Sequence, residues 1–191
     1  MKTYNFLPVE NHQLISDQLY QYVVNKTNIL EVTRDIGRWT DLQVDSVLTD
    51  IPELATELAK LIDHPITLIA VLSYPPGSNI PVHLDVGSYK YRILWPVANC
   101  TGSYTKFYNQ NGNKLIKKYS AVTTGAYITN EDRYPLLEMD SCELLAPAII
   151  NTQVLHGVIS NPTATGHRLS ATFGFGKADL GDLFDKEFQR C

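Results

Sequence analysis

The sequence predicts a mainly β (α+β) protein, a double-stranded β-helix or jelly roll with N-terminal helices packed against it. Up to residue 64, apolar positions recur at helical spacing, whereas from residue 65 onward short β-rich segments alternate with turn residues. Many short strands separated by turns are typical of a sandwich or barrel. We therefore expect a single domain over 1–191, with a helical layer at 1–64, a jelly-roll core at 65–176 and a C-terminal tail at 177–191.

Two helices are predicted in the N-terminal layer. The segment NHQLISDQLYQYVV, residues 11–24, places its apolar residues on one broad helical face. DIPELATELAKLI, residues 50–62, predicts a second helix with Asp50 as its cap and Glu53 in the capping-box position. The polar stretch between them, 31–46, predicts irregular structure, in which Trp39 is either a packing anchor or part of a lid.

Short strands follow. ITLIAVLSY, residues 66–74, is apolar on both faces, as a buried strand is. SYTKFYNQNGNKLIKKY, residues 103–119, predicts a hairpin because Asn111-Gly112 suits a type I′ turn. The remaining strands are predicted in YKYRILWPV, GAYIT, CELLA, AIINT, VLHGVIS and HRLSATFGF.

Composition limits the classes of function. A net charge of −4 disfavours a nucleic-acid partner. No apolar run has the length of a signal peptide core or a membrane span, so we expect no membrane association. Three widely separated cysteines, without a metal-binding spacing, favour reduced thiols and therefore a cytoplasmic protein. Oligomeric state has no readable signal in the sequence.

A histidine and a carboxylate stand two residues apart at the end of an apolar run. Side chains at i and i+2 of a strand share one face, so His83 and Asp85 can converge on one point. An iron site of the two-histidine, one-carboxylate kind needs one more imidazole from another strand. His156, within VLHGV, is the histidine embedded in an apolar strand remote from this pair. The other candidates lie in less suitable contexts, at His12, His64 and His167.

An arginine and a serine share a face of the last predicted strand. In HRLSATFGF, Arg168 and Ser170 lie on one face and apolar residues lie on the other. A guanidinium among apolar neighbours needs a partner, because an unpaired buried charge is costly. Together with a hydroxyl, it is well suited to bind a carboxylate of a dicarboxylate ligand.

The order H-x-D, a distal histidine and then R-x-S resembles the Fe(II)/2-oxoglutarate-dependent dioxygenase superfamily. The resemblance covers residues 66–176 and is carried by LSYPPGSNIPVHLD at 72–85 and by NTQVLHGVISNPTATGHRLSATFGF at 151–175. The segment HLDVGSYKYRILWPV, at 83–97, is similar to the aspartyl/asparaginyl β-hydroxylase-like branch.

The resemblance implies a catalytic iron site. His83, Asp85 and His156 would bind Fe(II), and the chemistry would convert O2 and 2-oxoglutarate into succinate and CO2 while oxidising a substrate, usually by hydroxylation. An amino acid, a peptide or protein, or a small metabolite would fit as substrate.

The resemblance also implies a co-substrate site. Arg168 and Ser170 would bind the distal carboxylate of 2-oxoglutarate, whose other end chelates the iron. Tyr74 would add a hydrogen bond to the co-substrate or line the substrate pocket, as would the tyrosines of SYKYR, Tyr89 and Tyr91.

Two alternative functions, and the role of one arginine, stay open at the level of sequence. A cupin-like metalloenzyme would use the same triad without 2-oxoglutarate, although Arg168 and Ser170 argue against it. A non-catalytic jelly-roll binding module would have structural histidines. Arg92 would either contact a substrate carboxylate or be an exposed arginine on a barrel face.

Overall fold

Two antiparallel sheets form the framework of the protein. The computed structural model describes residues 2–31, 37–85, 90–112, 115–119, 124–128, 135–176 and 178–187. One six-stranded sheet, called here the first sheet, has the order β1-β10-β5-β12-β3-β2. The other, the second sheet, has the order β7-β8-β4-β11-β6-β9.

The bounds of the elements follow the chain. The helices are α1 (His12–Lys26), α2 (Val44–Asp50), α3 (Pro52–Leu61) and α4 (Gly181–Asp185), with a 3₁₀ turn at Ile29–Glu31. The strands are β1 (Tyr4–Phe6), β2 (Arg38–Leu42), β3 (Leu68–Tyr74), β4 (Asn79–Asp85), β5 (Tyr91–Ala98), β6 (Tyr104–Asn109), β7 (Leu115–Tyr119), β8 (Thr124–Ile128), β9 (Leu137–Glu143), β10 (Ala148–Asn151), β11 (Leu155–Ile159) and β12 (Arg168–Gly174).

The connectivity is that of a jelly roll. The strands β3, β4, β5 and β6 alternate between the first and the second sheet, and β9, β10, β11 and β12 alternate in the same way. Two such crossing runs wound together make a double-stranded β-helix. The predicted fold is confirmed, including the helices packed against it.

The first sheet buries one face against the helices. On β5, Ile93 and Trp95 are fully buried in the same core as Ile15 and Leu19 of α1. The indole Nε1 of Trp95 donates a hydrogen bond to Ser16 Oγ at 3.1 Å, so the polar atom of this ring is satisfied inside the core. Because side chains alternate along a strand, the neighbours of these residues on β5 point into the space between the sheets.

The N-terminal region contains more regular structure than predicted. Asp50 does not cap the second helix: it ends α2, and α3 begins at Pro52 with Ile51 in the N-cap position. Proline suits this first helical position because its missing N–H has no partner there in any helix. The stretch predicted as irregular, 31–46, contains β2 and the first residues of α2, and β1 and β2 extend the first sheet. A short helix, α4, lies in the segment predicted as a tail.

The predicted hairpin at 103–119 is wrong. Asn111 and Gly112 do have positive φ angles, 47° and 77°, as a type I′ turn requires. However, both edges of β6 are taken by β11 and β9, and β7 pairs with β8 instead. The strand predicted at CELLA is also displaced, since β9 ends at Glu143.

None of the helices in the described part of the chain combines the length and the apolar character that crossing a bilayer requires.

Gly157 is expected to be required for the pairing of β11 with β4. A β-carbon at this position would lie 2.8 Å from the backbone carbonyl oxygen of Ile80, so one of the two strands would have to shift. We predict that Gly157→Ala lowers the free energy of unfolding by about 1–3 kcal/mol, measured by urea denaturation. Gly181→Ala is the control, because the contacts of its β-carbon would all be with the flexible side chain of Asp179, the nearest being Oδ1 at 3.1 Å. Equal stability of the two variants would contradict the prediction.

Candidate metal centre

Two paired strands bring the predicted metal ligands together. His156 on β11 lies directly opposite His83 on β4, and their ring centroids are 4.6 Å apart. Asp85 follows on the same face of β4, with Oδ1 3.6 Å from His83 Nε2. One ligand atom from each of the three residues can be chosen so that all lie within 4.8 Å of one another. The three residues therefore form a cluster able to hold one metal ion.

The local backbone of β4 supports this arrangement. The register shifts between the His156–His83 and Val158–Ile80 pairs, so that β4 carries one extra residue opposite Gly157. The bulge contains Pro81, which has no N–H to contribute to a regular ladder, and proline is tolerated at such positions. A bulge beside a functional site redirects the side chains that follow it, here His83 and Asp85.

Both histidines are held in the same tautomer. Nδ1 of His83 is 2.8 Å from the carbonyl oxygen of Pro81, and Nδ1 of His156 is 2.8 Å from that of Val154. A carbonyl oxygen only accepts, so each Nδ1 carries the hydrogen and donates it. In the neutral ring, Nε2 then has a free electron pair for a metal. Two imidazoles oriented in this way and one carboxylate are the donor set that non-heme iron prefers.

Burial keeps His156 uncharged. Its side chain is buried, and this desolvation, with the neighbouring His83 as a second cause, lowers the pKa of His156 from 6.5 to about 4. The imidazole is therefore neutral at neutral pH and does not need to lose a proton before it binds a metal.

An arginine on the facing sheet has no complete set of partners. Arg168, on β12, is 2% exposed, and its Nη1 is 3.4 Å from Ser170 Oγ. Its guanidinium carbon lies 5.5 Å from the ring centroid of Tyr74, the residue opposite it on β3. Within the described residues, neither Nε nor Nη2 of Arg168 has a hydrogen-bond partner. A buried guanidinium with two unused donors is a site for an anion, and a carboxylate satisfies both donors at once.

Further unpaired hydroxyls lie in the interior. Thr172 continues the face of β12 that carries Arg168 and Ser170, and it is fully buried. Thr105 on β6 is 2% exposed. The Oγ1 atoms of both threonines lack a hydrogen-bond partner among the residues that the structure describes. The sequence analysis identified neither threonine. Thr172 could have been found, because it lies four residues after Arg168 and therefore on the same face of the strand.

Arg92 lies in the site and not on an exposed face. Its Nε is 3.4 Å from Asp85 Oδ2, and its guanidinium carbon is 5.1 Å from the ring centroid of Trp39. Only 16% of its side chain is exposed. The alternative of an exposed barrel-face arginine is therefore wrong, and Trp39 packs against this arginine.

The remaining candidates lie elsewhere. Tyr91 is buried in the helix-facing core on the opposite face of β5, where its ring centroid lies 4.7 Å from that of Phe184. It therefore does not point into the space between the two sheets. Tyr89 falls outside the described residues. His167 Nδ1 is 2.8 Å from Ser73 Oγ, and the candidate metal-binding cluster found in the described residues contains neither His12, His64 nor His167.

The chain was compared with protein families, curated sequences and solved structures, and only solved structures are similar to it. Neither the protein-family models nor the curated protein sequences give a match. Among solved structures, a prolyl-4-hydroxylase from Pseudomonas putida is similar with a TM-score of 0.50 and 13% identity, covering 91% of each chain. HygX from Streptomyces hygroscopicus, in a structure with nickel and 2-oxoglutarate bound, has a TM-score of 0.50 and 12% identity, covering 90% of this chain and 82% of HygX.

A third structure is similar over a smaller part of its length. E. coli ycfD has a TM-score of 0.43 and 14% identity, and the match covers 77% of this chain but 35% of ycfD. The present chain thus spans about a third of that protein. The prolyl-4-hydroxylase and HygX, each with a TM-score of 0.50, show a shared jelly-roll fold.

Loss of stability in mild acid is expected from His156. In the unfolded chain His156 takes up a proton near its ordinary pKa of 6.5, whereas in the folded protein it is protonated only near pH 4. Its contribution to stability is therefore complete above about pH 6.5 and is lost as the pH falls towards about 4. We predict that His156→Leu flattens this part of the stability profile of the metal-free protein, measured by urea denaturation. The exposed-site variant His64→Leu should keep the wild-type slope, and an unchanged slope in His156→Leu would contradict the prediction.

Removal of Arg168 is expected to stabilise the metal-free protein. Its buried charge has two unsatisfied donors, and methionine fills a similar volume without that desolvation cost. We predict that Arg168→Met raises the free energy of unfolding by about 1–3 kcal/mol. Arg38→Met is the control, since Arg38 is half-exposed and has a carbonyl partner in Asn28. A destabilised Arg168→Met protein would show that the charge is satisfied within the chain.

Proposed function

We propose that the protein is an Fe(II)- and 2-oxoglutarate-dependent oxygenase. One observation carries the proposal: a His-Asp-His cluster and a buried arginine with two unused donors lie on facing sheets of the same jelly roll. The first suits a divalent metal and the second suits a carboxylate. HygX, which shares the fold, has nickel and 2-oxoglutarate bound in its structure.

The metal would be held by three side chains. Nε2 of His83, Nε2 of His156 and a carboxylate oxygen of Asp85 would be its ligands, because the Nδ1 atoms of both histidines are already committed to backbone carbonyls. Fe(II) bound there supplies the activation of O2 and the oxidation of the substrate. With three protein ligands, the ion would keep coordination positions for the co-substrate and O2.

The co-substrate would be oriented by the first sheet. Arg168 would bind the far carboxylate of 2-oxoglutarate with Nε and Nη2, and Ser170 would hold the guanidinium in place through its contact with Nη1. Tyr74 would limit the position of the arginine from the other side. The low exposure of this group excludes water, which strengthens a charge-assisted pair.

The reaction would be hydroxylation. One O2 and one 2-oxoglutarate would yield succinate and CO2, with one oxygen atom entering succinate and the other entering a C–H bond of the substrate. An amino acid, a peptide or protein side chain, or a small metabolite would be the substrate. Membership of the aspartyl/asparaginyl β-hydroxylase-like branch stays a prediction, as does a cytoplasmic location.

Turnover without a known substrate tests the proposal. Oxygenases of this class consume 2-oxoglutarate slowly in the absence of substrate. The protein is purified anaerobically and then given Fe(II), 2-oxoglutarate and O2. We expect it to release succinate. Asp85→Ala should reduce this release to background. Arg168→Met should raise the 2-oxoglutarate concentration needed for half-maximal release about 10–100-fold, because charge-assisted hydrogen bonds are lost. His64→Ala, at an exposed position outside the cluster, should behave as wild type.

Binding measurements on the same samples separate the alternatives. Stoichiometric metal with 2-oxoglutarate binding that depends on Arg168 supports the proposal even when uncoupled turnover is slow. Metal binding without affinity for 2-oxoglutarate would instead favour a cupin-like metalloenzyme. A protein that binds neither metal nor 2-oxoglutarate would be a jelly-roll binding module with structural histidines.

A further inference from the structure

We propose that Arg92 is a positioning residue that orients Asp85 towards the metal, an inference that rests on the proposed metal site. Arg92 comes from β5 in the first sheet, whereas Asp85 ends β4 in the second sheet. Their ion pair therefore spans the interior and links the two sheets at the metal centre.

The two oxygens of Asp85 face different partners. Oδ1 is 3.6 Å from His83 Nε2, on the side where the imidazoles converge, whereas Oδ2 is 3.4 Å from Arg92 Nε. A carboxylate can bind a metal through one oxygen or through both. With Oδ2 paired to the guanidinium, Asp85 would offer Oδ1 alone as a metal ligand.

Trp39 fixes the guanidinium in turn. The Arg92 guanidinium carbon lies 5.1 Å from the Trp39 ring centroid, within the range of a cation–π contact. Trp39 is itself placed by β2, which pairs with β3 opposite Leu72. The arginine is thus held between an aromatic face and a carboxylate, and this geometry restricts its side-chain freedom.

The sign of the effect on metal affinity distinguishes this role from a simple charge effect. A positive guanidinium near a divalent cation repels it, so removing the charge alone would strengthen metal binding. Removing an orienting partner of a ligand would weaken metal binding, by about 10–100-fold for residues that hold metal ligands elsewhere. The proposal requires the second effect to dominate.

Co(II) binding to the metal-free chain of 191 residues provides the test, because it is measurable without turnover. Titration calorimetry gives the affinity, and the visible absorption spectrum of bound Co(II) reports its coordination. We expect Arg92→Gln to weaken Co(II) binding about 10–100-fold and to change the spectrum. Arg92→Lys, which keeps the charge and an ammonium donor but lacks the planar guanidinium, should recover part of both. Arg38→Gln removes the same charge from the outer side of β2 and should match wild type.

The outcomes distinguish the two proposals. A wild-type protein that fails to bind Co(II) overturns the proposed function itself. Wild-type binding with equal or tighter binding by Arg92→Gln, or with an unchanged spectrum, overturns the positioning role alone. A fold control accompanies each variant, because thermal unfolding of the metal-free proteins shows whether a weak binder is folded. If Arg92→Gln does not fold, Arg92→Lys tests the positioning role instead. An Arg92→Lys protein with the Co(II) affinity and spectrum of the wild type would contradict a role that depends on the guanidinium geometry.

Discussion

The antiparallel pairing of β4 with β11 is the constraint on which the site depends. It sets His83 opposite His156, and cross-strand neighbours on one face are close enough for their rings to meet. The pairing holds only because Gly157 lets the carbonyl of Ile80 approach and because the bulge at Pro81 absorbs one extra residue. A slip of one strand by one residue would turn the imidazole of that strand to the other face of the sheet and separate the two rings.

The hydrophobic core and the candidate site lie on opposite faces of the first sheet. The helix-facing residues of β5 and β12, such as Trp95 and Phe173, build the main hydrophobic core. The inward face instead carries Arg168, Ser170 and Thr172, whose desolvation is only partly compensated within the chain. Such unsatisfied groups lower stability, and they are expected where a ligand completes the hydrogen bonding.

The alternation of β5 also connects the helix-facing core to the candidate metal centre. Tyr91 and Arg92 are consecutive, so one packs against Phe184 and the other reaches Asp85. Trp39, from an edge strand in a polar stretch, then packs against that arginine. The residues before the jelly roll thus contribute directly to the surroundings of the proposed metal, in addition to covering the sheet.

Much of the candidate site was readable from the sequence by itself. Period-two alternation put His83 with Asp85 and Arg168 with Ser170 on common strand faces, and the change from helical to strand patterns gave the fold class. Local patterns describe short-range geometry, but they do not say which strand lies next to which, or which face of a strand points inward. Tertiary pairing therefore decided that β6 joins β9 and β11, that Tyr91 faces the helices, and that Arg92 meets Asp85. These contacts depend on residues far apart in the chain, and only the packed sheets bring them together.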